Sequence, residues 1–285
     1  MAKWTVVLKI GTLFVWLTVM VAVVTFLTQG IKEEQSLLNA SGKKTETSGQ
    51  TTKKIKEGWE EKAESTDTEE SLSKEEKYAY LTFDDGPSDN TDKILSILKE
   101  KDVKATFFVV GKTDEKSKER YCRIVEEGHS LGMHSYSHDY SYIYGSLEHY
   151  KEDLMRLHDY LYEVTGEKVK LYRFPGGSSN SVAKIPIQSC IRFLEKKGFV
   201  YYDWNASSED AVLIGTPCET LNQNILKDAL LYHNTIILMH DLYECAGTVE
   251  GLGALIDRLR EEGYELKSIT LETVPVQHVK DTPDK

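Results

Sequence analysis

The residues best suited to chemistry in this chain are acidic, histidine and arginine side chains gathered in five short stretches. These are Asp84-Asp85-Gly86-Pro87, His134-Ser135-Tyr136-Ser137-His138, Arg173-Phe174-Pro175-Gly176-Gly177, Asp203-Trp204-Asn205 with Asp210 after it, and Leu238-Met239-His240-Asp241. Singly, each has an ordinary explanation: a turn, two surface histidines, an arginine neutralising nearby carboxylates. Together they hold the parts for metal-assisted hydrolysis. Two histidines and one carboxylate make a facial metal triad that leaves positions for water and substrate. A second carboxylate beside the ligand can take a proton from that water, and a histidine across the pocket can give one to the leaving group. Asp84 and Asp85 are adjacent with diverging side chains, so one can ligate while the other serves as base.

Those groups must be positioned by a rigid frame, and the sequence supplies one. Strands are predicted at Tyr78–Phe83, Ala105–Val110, His129–Met133, Lys170–Phe174, Phe199–Tyr202, Thr235–Met239 and Tyr264–Lys267. Helical patterns lie between them at Asp92–Lys101, Lys116–Glu127, Leu147–Val164, Ser189–Lys197, Leu221–Leu231 and Leu252–Glu262, with Gly128, Gly198 and Gly263 where helix ends need them. Regular alternation of this kind specifies a parallel α/β sheet, open or closed into a barrel. Reactive groups in such folds collect at the C-terminal ends of the strands. The five stretches fall at five of these ends.

In this order the five motifs resemble the polysaccharide deacetylase family, also called the NodB-homology domain or carbohydrate esterase family 4. The resemblance covers about Tyr78 to Thr270, and Thr82-Phe83-Asp84-Asp85-Gly86-Pro87 with His134-Ser-x-x-His138 is its specific core. It implies a distorted (β/α) barrel and a divalent metal, commonly zinc, with cobalt, nickel or manganese as alternatives. Asp85, His134 and His138 would be the metal ligands and Asp84 the general base. Arg173 would orient Asp84 through a charge-assisted hydrogen bond, and His240 would be the general acid, oriented and kept cationic by Asp210. Leu238 would line the slot for the acetyl methyl. Two positions depart from the family pattern. Gly176 stands where a tyrosine is usual, so only its backbone N–H remains for binding the oxyanion. Asp210 precedes Ala211 rather than tryptophan, and Trp204 is the candidate to supply an aromatic wall for the sugar in its place.

The rest of the chain bounds the setting. A net charge of −11 and the lack of a basic, aromatic-rich block argue against nucleic acid as a partner. Ile10 to Thr28 carries no charge over 19 residues. At about 1.5 Å per residue this comes close to spanning a ~30 Å hydrocarbon core. With no small-x-small cleavage site after it, the run is expected to be a transmembrane signal anchor within residues 1–30. Residues 31–76, rich in Lys, Glu, Ser and Thr, are expected to form a flexible linker, residues 77–272 the catalytic domain and 273–285 a tail. Cys122, Cys190, Cys218 and Cys245 form no C-x-x-C pair, which excludes a structural zinc knuckle; they are expected to be free and buried. His129, His149, His158, His233 and His278 fall on helical faces or element edges and receive no role.

The substrate expected from anchor and resemblance together is N-acetylglucosamine in peptidoglycan, with the catalytic domain outside the cell membrane. Chitin oligomers and O-acetylated xylan are the enzymatic alternatives, and an inactive glycan-binding module is the non-enzymatic one. Asp84, Arg173 and His240 weigh against the last, because a binder needs neither base nor acid. They also weigh against a non-haem iron oxygenase sharing the two-histidine, one-carboxylate set.

Overall fold

The computed structural model describes residues 76–281. Eight parallel strands alternate with helices: β1 (Lys77–Asp84), α1 (Asp89–Glu100), β2 (Thr106–Val110), α2 (Glu115–Glu126), β3 (Ser130–Ser135), α3 (Tyr140–Ile143), α4 (Leu147–Thr165), β4 (Leu171–Tyr172), α5 (Ile187–Lys197), β5 (Val200–Tyr201), β6 (Ala206–Ser207), α6 (Cys218–Ala229), β7 (Asn234–His240), α7 (Ala246–Glu261) and β8 (Tyr264–Lys267). The ladder runs β5-β4-β3-β2-β1-β7-β6, with β8 paired to the first half of β1. The expected (β/α) barrel is thus present in distorted form, open between β5 and β6. The proposed anchor and linker, residues 1–75, lie outside the described residues. Among those described, no helix is long and apolar enough to cross a membrane.

Alternation along the strands sorts the side chains into two layers. Ala79, Leu81 and Phe83 of β1, Phe107 and Val109 of β2, and Ile237 and Met239 of β7 face outward into a large core shared with the helices. Tyr80, Phe108, Leu171, Tyr202, Ile236 and Ile269 form a separate cluster that includes no helix residue and fills the barrel. Strands buried on both faces read as apolar runs, which is why the six C-terminal residues of β1 are all buried. The inward row of β1 continues from Tyr80 through Thr82 to Asp84, and that of β7 from Ile236 through Leu238 to His240. The register pairs Asp84 with His240 across these two strands. Period-two geometry therefore sets the candidate base and acid side by side at the top of the barrel interior.

Between β5 and β6 the chain's own C-terminal segment lines the opening. Asp203 N–H donates to the Val276 carbonyl (2.8 Å), and His278 N–H donates to Asp203 Oδ2 (2.8 Å). Val279 N–H donates to Ser178 Oγ (3.0 Å), which itself donates to Asp203. The folded unit thus extends past residue 272, where the sequence alone placed its end. Asp203 is fully buried, accepting also from Ser178 N–H (2.8 Å). Replacing it with alanine strands three donors, the two of Ser178 buried and that of His278 partly so, and a buried donor costs about 1–3 kcal/mol when unpaired. Asp203→Ala is therefore expected to lose roughly 3–5 kcal/mol in urea unfolding. A change below about 1 kcal/mol would show the tail to be dispensable.

Candidate active site

β1 ends at Asp84, and the chain turns sharply through Asp85, which has a positive φ of 69°. Non-glycine residues avoid that region, and such strain persists only where surroundings enforce it. Here Asp85 N–H donates to the Phe108 carbonyl (3.2 Å), Val110 N–H to the Gly86 carbonyl (2.8 Å) and Asp241 N–H to the Asp84 carbonyl (2.8 Å). Gly86 is required for space: a Cβ there would lie 2.4 Å from Asp241 Oδ2. Asp241 accepts from Ser88 Oγ (2.6 Å) and Thr91 Oγ1, locking this turn to the capped start of α1. It is a structural carboxylate and does not serve His240.

His134 sits near the end of β3, buried, and His138 follows in a loop with φ 52°. The His134 Nδ1 lies 2.8 Å from the Arg173 carbonyl. A carbonyl only accepts, so Nδ1 carries the proton and Nε2 presents its lone pair. The His138 loop is fastened by Asp153 of α4, which accepts from Ser135 Oγ (2.6 Å), Tyr136 N–H (2.8 Å) and Ser137 N–H (2.9 Å). Ser135 Oγ in turn accepts from His138 N–H (2.8 Å). Asp153 was not singled out from the sequence. Its only signal was an acidic residue on the buried face of an amphipathic helix, between Tyr150 and Leu157.

The three expected ligands converge. Asp85 Oδ1 lies 3.0 Å from His138 Nε2 and 3.5 Å from His134 Nε2, and all three donor atoms fall within 4.8 Å of one another. Donors bound at about 2.0–2.2 Å to one ion stand roughly 2.9–3.6 Å apart. Asp85 Oδ1 is buried and accepts no aligned hydrogen bond, an orphan that a cation would satisfy. Burial pushes the Asp85 carboxyl up, but His138 and His134 beside it more than reverse this and hold it well below the usual carboxylate range. Burial keeps His134 neutral despite the nearby carboxylates. His138 is raised, since Asp85 outweighs its own burial. A proton on His138 meets the same local need for positive charge that a divalent cation would meet. The donor set fits a metal ion.

Asp84 lies beside this group, its Oδ2 4.0 Å from His134 Nε2. Its Oδ1 accepts from Arg173 Nη1 (2.9 Å). Arg173 is completely buried at the end of β4. Its other donors go to Thr82 Oγ1 (2.6 Å) and the carbonyls of Tyr202 (2.9 Å) and Asp203 (3.1 Å), and its guanidinium lies over the Phe108 ring (4.3 Å). So many fixed contacts leave one orientation for the carboxylate it holds. On the neighbouring strand β7, His240 Nδ1 bonds Asp210 Oδ1 at 2.7 Å, and Asp210 Oδ2 accepts from His240 N–H (2.9 Å) and Thr248 Oγ1. Asp210 is thus the acidic partner of His240, while Asp203 and Asp241 bond elsewhere. Burial opposes a charge on His240, yet Asp210, with Asp84 and Asp85 behind it, raises its imidazole above the ordinary value.

The remaining expected residues are placed more variously. Phe174-Pro175-Gly176-Gly177 forms a turn closed by Gly177 N–H to the Phe174 carbonyl (2.8 Å), with Gly176 at φ 73°. Proline second and a positive-φ residue third are the requirements of a type II turn, which explains why a tyrosine is not found at 176. Trp204 is half-buried, packed on Gly177, T-shaped to His278 (5.0 Å) and 5.7 Å from Arg173. Leu238 is buried in the inward row of β7, its carbonyl accepting from Ser208 N–H (3.1 Å). His129 Nδ1 accepts from Ala105 N–H (3.1 Å), a packing role consistent with none in catalysis. All four cysteines are free, but only Cys190 and Cys245 are buried. Cys122 and Cys218 are half-buried on helices α2 and α6, where one side of each faces solvent.

Comparison with known proteins agrees with this geometry. Residues 71–189 match a family model described as polysaccharide deacetylase. The chain is 37% identical over 206 residues to YheN of Bacillus subtilis, covering 70% of each. It is 32% identical over 199 residues to a peptidoglycan-N-acetylglucosamine deacetylase of Bacillus cereus, covering 68% of this chain and 70% of that one. Among solved structures, the catalytic domain of peptidoglycan N-acetylglucosamine deacetylase from Eubacterium rectale superposes with a TM-score of 0.68 at 32% identity. That match covers 72% of this chain and 94% of the other.

Proposed function

The chain belongs to the polysaccharide deacetylase family, and from that premise we propose that it removes the N-acetyl group from N-acetylglucosamine in peptidoglycan, outside the cell membrane and with a divalent cation. The observation that carries this reading is the paired arrangement around the donor triad. Asp84 is held by Arg173 at 2.9 Å on one side, and His240 is held by Asp210 at 2.7 Å on the other. A site for binding alone has no use for a fixed proton acceptor beside a fixed proton donor.

Asp85, His134 and His138 would hold the cation, which when bound supplies Lewis-acid polarisation of the acetyl carbonyl and of water. Asp84, anchored through Oδ1, keeps Oδ2 available to take a proton from the attacking water. His240, anchored through Nδ1, keeps Nε2 available to protonate the departing amine. Leu238 would floor the acetyl slot, the Gly176 N–H would face the acyl oxygen, and Trp204 would form part of the sugar wall. The named activities of the Bacillus cereus and Eubacterium rectale relatives support the peptidoglycan substrate.

Acetate release from purified peptidoglycan, compared with N-acetylglucosamine oligomers and acetylated xylan, tests the substrate. Release from peptidoglycan should exceed that from xylan by at least about 10²-fold, the scale on which one misplaced polar group is rejected. Higher activity on xylan would overturn the amide assignment, and no release from any of them would favour a glycan-binding module.

The uncharged run from Ile10 to Thr28 supports anchoring. Full-length protein should sediment with membranes, while a form lacking Met1 to Gln29 should remain in the supernatant with turnover on small oligosaccharides unchanged within about 2-fold, since a polar linker decouples anchor from domain. Full-length material released into the medium and trimmed after the apolar run would contradict the anchor.

A further inference from the structure

Four tyrosines crowd the segment after His134, and three are committed to the protein itself. Tyr136 lies under the Arg156 guanidinium at 3.8 Å. Tyr142 stacks on His149 at 4.4 Å and donates its hydroxyl to Glu152 (2.8 Å). Tyr144 is buried and donates to the Pro175 carbonyl (2.8 Å). Tyr140 differs. Its ring meets His138 edge-on, with centroids 5.4 Å apart at 85°, and is backed by Tyr144 at 5.9 Å. Among the described residues its hydroxyl has no hydrogen-bond partner.

That hydroxyl lies close to Gly176. A Cβ on Gly176 would stand 3.3 Å from both Tyr140 Cε1 and Oη. The phenol therefore lies against the turn peptide at one side of the site, while its ring borders a candidate metal ligand at the other. The turn is closed through Gly177 N–H. A side chain held between a candidate metal ligand and the turn, with an unused donor, is arranged for an acceptor brought by a ligand.

We propose that Tyr140 touches the substrate, its hydroxyl donating a hydrogen bond to the acyl oxygen beside the Gly176 peptide. The assignment rests on acetamide hydrolysis as the reaction. An acyl oxygen gains negative charge as its carbon becomes tetrahedral, and a donor fixed before the reaction stabilises that charge without reorganising. The Tyr140 ring, braced by Tyr144 and by the turn, meets that condition better than a side chain free to rotate. Lys184, Ser141 and Val182 line a cavity of about 230 Å³ on Tyr140 and Tyr144. Truncation to alanine would enlarge this space and remove the ring packed on His138, whereas phenylalanine removes the hydroxyl alone and is the decisive replacement.

The test uses the zinc-loaded protein as wild type and Tyr140→Phe. Acetate release from N-acetylglucosamine oligomers should fall in kcat by about 10- to 10²-fold, below the full cost of losing a lone oxyanion donor because other donors remain. KM, zinc content and Tm should be unchanged. Acetohydroxamate, measured by calorimetry, should bind about 3- to 10-fold more weakly, the scale of one hydrogen bond. Equal kcat and equal acetohydroxamate affinity in the two proteins would overturn the proposal. A raised KM with constant kcat would also overturn it, placing the hydroxyl on the sugar and not the acyl oxygen. Weaker acetohydroxamate binding by the variant, with no acetate release from the wild type, would retain the Tyr140 contact and reject the acetamide reaction instead.

Discussion

His134→Ala should lose both bound metal and acetate release, and excess chelator should do the same to the wild type. The expectation follows from how little slack the triad has. Asp85 Oδ1 serves both histidines, at 3.0 and 3.5 Å, and both Asp85 and His138 are held in positive-φ backbone by neighbouring hydrogen bonds. Neither can swing to cover for a missing partner. Loss of a residue that merely supports a ligand costs about 10–100-fold in metal affinity or activity, so loss of a ligand should cost at least the upper end. The variant also leaves the Arg173 carbonyl without its partner, and Arg173 holds Asp84. Metal content by elemental analysis and Tm should therefore be read beside activity. A fall in all three would point to the fold. Intact Tm with metal and activity lost is the outcome expected, and full turnover in excess chelator by metal-free protein would remove the cation from the reaction.

The candidate chemistry was legible in the sequence because it sits in short motifs at strand ends, where side-chain direction follows from period-two geometry. Asp84, His134 and His240 needed only the assignment of their strands. What escaped was support that comes from elsewhere in the chain. Asp153 reaches the histidine loop from the middle of α4, and its place on the buried face of that helix does not say what it binds. β6 is two residues long, too short to carry any hydrophobic alternation. Helix α7 was expected from Leu252, but in the structure it begins at Ala246 and runs through Gly251. Tertiary packing explains the glycine, since a Cβ at Gly251 would stand 3.0 Å from the Cys218 Cβ and Asn222 Oδ1 of α6. Strand β4 was expected through Phe174 but pairs only at Leu171–Tyr172, after which Pro175 and Gly176 impose the turn. Nothing local in the sequence separates Tyr140 from Tyr136, Tyr142 and Tyr144; their long-range contacts do.

The other large expected effect separates proton acceptance from proton donation. Asp84→Asn preserves volume and leaves an oxygen for Arg173 Nη1, but it turns an NH₂ group toward His134 where a carboxylate oxygen had been. An amide cannot take the proton from water. His240→Ala leaves that step intact and deprives the leaving amine of its acid, while Asp210 keeps Thr248 Oγ1 and the backbone N–H of residue 240. On the acetamide each variant should lose about 10²–10⁴-fold in kcat, the usual size of general acid or base catalysis. The two should part on an aryl acetate, whose leaving group departs without protonation: His240→Ala should recover most of its rate and Asp84→Asn should not. The pH profile gives an independent check. Burial disfavours the charged imidazole, but Asp210 and the nearby carboxylates raise it overall above the ordinary histidine value. The acid is thus loaded below that raised pKa, and activity should fall as pH rises through it. That alkaline limb should persist in the residual activity of Asp84→Asn and disappear in His240→Ala. Equal losses on both substrates with metal content intact, and an alkaline limb surviving in His240→Ala, would mean that the acid is another group.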